Sequence, residues 1–115
     1  MDFFFAEDGL QRATPSETRI TSLSAEPYPD GERVRVDLEM TPFQTRPHIE
    51  VNLTDAAGQE VTSVSIVEPM GWKLEFTLHL RGASNGPFKL EASLYYPDGP
   101  RAAPISAAFD IVSAK

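Results

Sequence analysis

Apolar and polar residues alternate at period two in five stretches of this chain. Val34, Val36, Leu38 and Met40 interleave with Arg35, Asp37 and Glu39, and Ile49, Val51 and Leu53 with Glu50 and Asn52. Trp72, Leu74, Phe76, Leu78 and Leu80 alternate with Lys73, Glu75, Thr77 and His79; Phe88, Leu90, Ala92 and Leu94 alternate with Lys89, Glu91 and Ser93. Ile105, Ala107, Phe109 and Ile111 close the series. Successive side chains of a strand point to opposite faces, so each run predicts a strand with one buried and one wet face.

Punctuation between the runs completes the pattern. Ile20 and Leu23 differ in parity, which predicts a bulge or a change of sheet within the first strand. Tyr28-Pro29-Asp30-Gly31 and Tyr96-Pro97-Asp98-Gly99 read as tight turns, because proline presets φ at the second turn position and glycine suits the fourth. Asp55-Ala56-Ala57-Gly58-Gln59 reads as a type I turn closed by a glycine bulge. Val61 to Val67 is a β-branched, serine-rich strand stopped by Glu68-Pro69-Met70-Gly71, and Arg81 to Pro87 is a loop by composition. Seven strands result, with turn signals about every 8 to 12 residues, the spacing of a sandwich. No segment has helical periodicity. The predicted fold is all-β: a seven-stranded antiparallel immunoglobulin-like β-sandwich over residues 18–115, preceded by a short N-terminal arm, residues 1–17.

The order of strand, Pro-Asp-Gly turn, strand, long loop, strand and Asp-x-x-Gly hairpin, closing on Leu90-Glu91-Ala92-Ser93-Leu94-Tyr95-Tyr96, resembles immunoglobulin-like domains of the fibronectin type III or bacterial kind. The resemblance is architectural: the chain has no Cys pair, and Trp72 falls in the fifth strand where antibody domains place their tryptophan in the third. It implies adhesion, scaffold or ligand-binding roles, since such folds host many functions.

Composition narrows the chemistry. At 115 residues the chain is long enough for one core without staples, and it has no cysteine, which excludes thiol nucleophiles, disulfides and Cys-based zinc sites. Seventeen acidic and ten basic residues give a net charge of −7, with the basic residues scattered singly. A phosphate-tracking surface needs a basic patch, so nucleic acid is not an expected partner, and neither is an anionic membrane. No stretch approaches the roughly 18 apolar residues needed to span a bilayer, and the acidic start lacks a signal-peptide pattern, so the expected location is cytoplasmic.

Candidate catalytic groups are few. His79 falls on a wet strand face, and His48 precedes Ile49 with Glu50 on the same face; this His-x-Glu pair and the acidic turns at Asp30 and Asp98 carry metal-ligand residue types at spacings common on any surface. Gly-x-Ser-x-Gly is absent. No enzyme, metal or cofactor is expected.

Binding candidates lie where the alternation fails. Antiparallel order alternates loops between two poles, and one pole collects Phe43, Arg46, Met70, Tyr96 and Arg101, residue types enriched at hot spots. The arm enters from this pole, so Phe3, Phe4 and Phe5 lie near it if the arm folds back; each is worth about 1.5 to 3 kcal/mol on burial, either capping its own domain or docking on a second subunit or another protein. The strand carrying Val61, Val64 and Ile66 is uncharged between Glu60 and Glu68 and falls at a sheet edge, where backbone groups can accept a partner strand. The expected function is a non-catalytic protein-interaction or assembly module, self-associating through the arm or this edge, with a homodimer as the simplest assembly. The alternative is a small-ligand or carbohydrate-binding domain using the aromatic pole.

Overall fold

A computed structural model describes residues 11–80 and 87–110. Its strands are β1 (Ile20–Pro27), β2 (Arg33–Met40), β3 (His48–Thr54), β4 (Glu60–Val67), β5 (Lys73–His79), β6 (Phe88–Tyr95) and β7 (Ile105–Phe109). They form two antiparallel sheets, ordered β1-β2-β5 and β4-β3-β6-β7. The chain is a seven-stranded all-β sandwich, as the alternation predicts.

The core sits where the central strands face each other. Val34, Val36 and Leu38 of β2 oppose Ile49, Val51 and Leu53 of β3 and Phe88, Leu90 and Leu94 of β6, all buried. Burying each large apolar side chain contributes about 1.5 to 3 kcal/mol, so these three strands carry most of the stabilisation. Phe88 stacks on Phe109 at 5.3 Å between ring centroids, which seats the short strand β7.

Two bulges reconcile sequence parity with the core. The β1–β2 register shifts between Ile20 and Ser22, so both Ile20 and Leu23 pack on the core; β1 bulges and stays in one sheet. A second shift, between Leu53 and Thr54 of β3, leaves Val61 of β4 without a direct partner and lets it pack inward beside Val64 and Ile66. An extra residue in one strand shifts its side-chain parity relative to the partner.

Two local features depart from the sequence reading. Trp72 precedes β5 instead of lying within it, and its carbonyl accepts the Met40 amide at 2.9 Å. The arm contains a short 3-10 turn, Pro15–Glu17, which places Thr18 at 2% exposure with its hydroxyl donating to the Thr14 carbonyl at 2.8 Å. Before that turn the arm does fold back: Ala13 forms a parallel bridge with Phe43, its amide donating to the Pro42 carbonyl at 2.7 Å. Phe3, Phe4 and Phe5, the loop from Arg81 to Gly86 and Ile111 lie outside the described residues.

The long sides of the sandwich differ. β1 packs across β7 and closes one side. Along the other, β4 and β5 flank a groove of about 300 Å³ lined by Val64, Ile66, Leu74, Phe76 and Leu78. Leu74 and Phe76 share the inward parity of buried Leu78, yet remain half-buried at this open side.

Candidate functional site

At the loop pole, the structure separates residues that the sequence grouped together. Phe43 is 7% exposed and meets Trp72 edge-on, 6.2 Å between centroids, while the Arg12 guanidinium lies 5.0 Å from the Trp72 ring centre on which it stacks. Gln44 clamps the arm from both its groups: the backbone amide donates to the Ala13 carbonyl and the side-chain amide to the Arg12 carbonyl, each at 3.0 Å. Phe43 therefore anchors the arm and the β2–β3 loop, with little surface left for a ligand.

Tyr96 is likewise turned inward, at 8% exposure. Its hydroxyl donates to the Thr45 carbonyl at 2.7 Å, and its own carbonyl accepts the Gly99 amide at 2.9 Å, closing the turn that the sequence signalled. A Cβ at Gly99 would stand 3.2 Å from the Tyr96 Cβ, so a side chain there crowds the turn. Arg46 is exposed and shares a shallow cleft with Thr45, His48, Glu68 and Asp98, while Met70 stands 82% exposed outside it.

A row of side chains crosses the outer face of the four-stranded sheet near the same pole. Val67 pairs with His48, His48 with Tyr95, and Tyr95 with Arg101. The His48 and Tyr95 rings lie 5.5 Å apart, and the Arg101 guanidinium sits 4.6 Å from the Tyr95 ring centre. Val67, at 62% exposure, ends the row at the β4 edge. Tyr95 was missed by the sequence reading, although an aromatic on wet-face parity was the available signal, and Val67 belongs to the candidate strand Val61 to Val67.

The strand β4 is the edge on which the two remaining features meet. Val61, Val64 and Ile66 pack toward the core, so β4 offers a partner its backbone and the exposed residues Ser63, Ser65 and Val67. The Ser65 hydroxyl donates to the Glu50 carboxylate on β3. The other three edges carry protection of the usual kinds: β1 holds Glu26 and Pro27 and lies against β7, β5 carries Lys73, Glu75 and His79, and β7 has five residues. Between Val61 and Val67, β4 has neither charge nor proline.

Charge is concentrated elsewhere. On the outer face of the three-stranded sheet, Arg35 lies 3.2 Å from Glu26, 3.3 Å from Asp37 and 3.9 Å from Glu75, and the field of Asp37, Glu26 and Glu75 raises its pKa. In the β1–β2 turn, the Asp30 carboxylate accepts the Glu32 amide at 2.8 Å and the Arg33 side chain at 2.9 Å; these bonds, the Glu32 amide foremost, hold it below the ordinary aspartate range. Among the described residues no three His, Asp or Glu side chains converge as a metal site, and no helix is long and apolar enough to cross a membrane.

Comparison with known proteins shows the fold alone. No family model and no curated protein matches the chain. The chain is similar to part of a Parabacteroides merdae β-glucuronidase, with TM-score 0.56, 12% identity and 82% of this chain covered. It spans only 14% of that enzyme's length. It is also similar to a computationally redesigned β-sandwich protein, with TM-score 0.55 and 15% identity over 91% of this chain and all of that one. The matched part of that enzyme and the redesigned protein are β-sandwiches, and the chain shares that architecture with them.

Proposed function

We propose that this chain is a non-catalytic protein-interaction or assembly module built on an immunoglobulin-like sandwich, and that it self-associates. The strand order supports the immunoglobulin-like assignment, with β4 joined to β3 in place of β5, where constant-type domains put their fourth strand. One observation carries the functional reading: beyond its bulge at Val61, β4 is a regular sheet edge from Thr62 to Val67 with neither charge nor proline to keep another strand away. Its free backbone groups offer main-chain hydrogen bonds to an added strand, the mode called β-augmentation. Light scattering on the purified chain from low to high micromolar concentration tests self-association, with a concentration-dependent rise in mass expected and a constant monomer mass opposing it.

A second reading, small-ligand or carbohydrate binding at the loop pole, rests on the cleft beside Arg46, His48 and Asp98 and on the sandwich shared with part of a glucuronidase. Phe43 and Tyr96 are turned inward, which weakens the aromatic platform on which this reading leans. Thermal-shift screening with mono- and oligosaccharides tests it; a dose-dependent rise in midpoint, lost in Arg46→Ala, is the expected signature.

A further inference from the structure

A net charge of −7 makes two copies of this chain repel on average, so a contact between them is favoured where the surface carries no acidic side chain. The stretch from Val61 to Val67 is an extended backbone edge free of that conflict. We propose that β4 is the seam of a two-fold homodimer, pairing antiparallel with β4 of a second copy so that Ser65 lies opposite Ser65 of the partner subunit. This inference rests on the self-association reading above and names its surface and register.

The register follows from the ends of the strand. Centring the pair on Val64 sets Glu60 opposite Glu68 of the partner subunit, and like charges directly opposed are destabilising. Centring it on Ser63 drives the ladder through the bulge at Val61. Centring on Ser65 avoids both. It uses the stretch from Thr62 onward, whose pairing with β3 is regular, and sets Val64 against the partner's Ile66 and Ser63 against the partner's Val67. Inward residues then oppose inward residues, as the two-residue period requires.

This arrangement also closes the open side of the sandwich. A two-fold axis perpendicular to the extended sheet leaves both three-stranded sheets on the same side of it. The grooves between β4 and β5 then face each other across the paired Val64 and Ile66 side chains. Leu74 and Phe76, half-buried in one copy, become interior to two. Buried apolar area of this kind supplies what an edge-to-edge ladder alone lacks.

The test uses cysteine variants of a full chain that contains none. Ser65→Cys is expected to give a disulfide-linked dimer under mild oxidation. Ser63→Cys is expected to stay monomeric, because residue 63 and its partner equivalent are about 13 Å apart along the antiparallel pair, beyond disulfide reach. Ser65→Lys places two cations at the axis while keeping Glu50 beside each one, so the fold stays intact by circular dichroism and the dissociation constant rises about two- to fivefold. Equal cross-linking of both cysteine variants, or of neither, overturns the register. A dimer whose dissociation constant is unchanged by Ser65→Lys but that is lost on deletion of residues 1–10 overturns the β4 seam and leaves self-association standing. A monomer at high micromolar concentration overturns both.

Discussion

The Tyr96 hydroxyl donates a 2.7 Å hydrogen bond to the Thr45 carbonyl, tying the β6–β7 loop to the β2–β3 loop across the pole. Thr45 is a loop residue whose carbonyl has no strand partner, so Tyr96 fixes the distance between two otherwise independent connections. Tyr96→Phe keeps the buried ring and removes the bond, at an expected cost of about 1 kcal/mol in urea unfolding. Tyr96→Ala also empties the space that the ring fills and is expected to cost about 3 kcal/mol or more. Equal losses in the two variants would mean that packing contributes nothing beyond the hydroxyl.

Trp72 joins Phe43 from the β2–β3 loop and Arg12 from the arm at its ring, while its backbone carbonyl accepts the Met40 amide. Trp72→Ala is expected to cost about 2 to 3 kcal/mol, below the range for a fully buried tryptophan because this ring is half-buried. Release of the arm is the distinguishing sign. Hydrogen exchange at the Ala13 and Gln44 amides, which hold the arm, is expected to speed up more than exchange at Val36 in β2.

The hairpin leading into β4 depends on Gly58, whose φ is +84° with open space around the missing side chain. Its cost on substitution is therefore backbone strain alone. Gly58→Ala is expected to destabilise by about 1 kcal/mol, and Gly58→Asn by less, since asparagine tolerates positive φ. Asp55→Ala removes the carboxylate that accepts the Ala57 and Gln59 amides, each at 2.9 Å, and is expected to loosen the same turn. Denaturant midpoints of the three variants give the ranking.

Asp30 links the β1–β2 turn to pH. Its depressed pKa means that the folded state favours the carboxylate, so it contributes stability at neutral pH. The contribution is full above the aspartate pKa of the unfolded chain, declines as pH falls below that value, and is gone once pH has passed through the lowered folded value. Carbon-detected NMR titration is expected to place the Asp30 midpoint below that of aspartate in the unfolded chain. Asp30→Asn is expected to narrow the stability difference between neutral and acidic pH.

Period-two alternation made the strands and their buried faces legible because a strand half in water must sort its residues by side. The inward sets of β2, β3 and β6 are the alternating residues themselves. Parity also announced either a bulge or a change of sheet in β1, and the register shift between Ile20 and Ser22 decides for the bulge. Loop residues have no such rule. Phe43 and Tyr96 look like hot-spot residues in sequence, and their inward turn depends on Trp72, Ala13 and Thr45, which come from distant parts of the chain.

The sequence by itself determined the architecture, the acidic surface and the charge-free character of the segment from Val61 to Val67, because these are properties of local order and composition. Only the tertiary structure decided which strands end a sheet, that β1 closes against β7 while β4 and β5 stand open, and that Val67, His48, Tyr95 and Arg101 share one row. The physical reason is one of range. Alternation is enforced residue by residue, whereas an edge, a groove or a cross-strand row exists only once segments far apart in the chain have been paired in register.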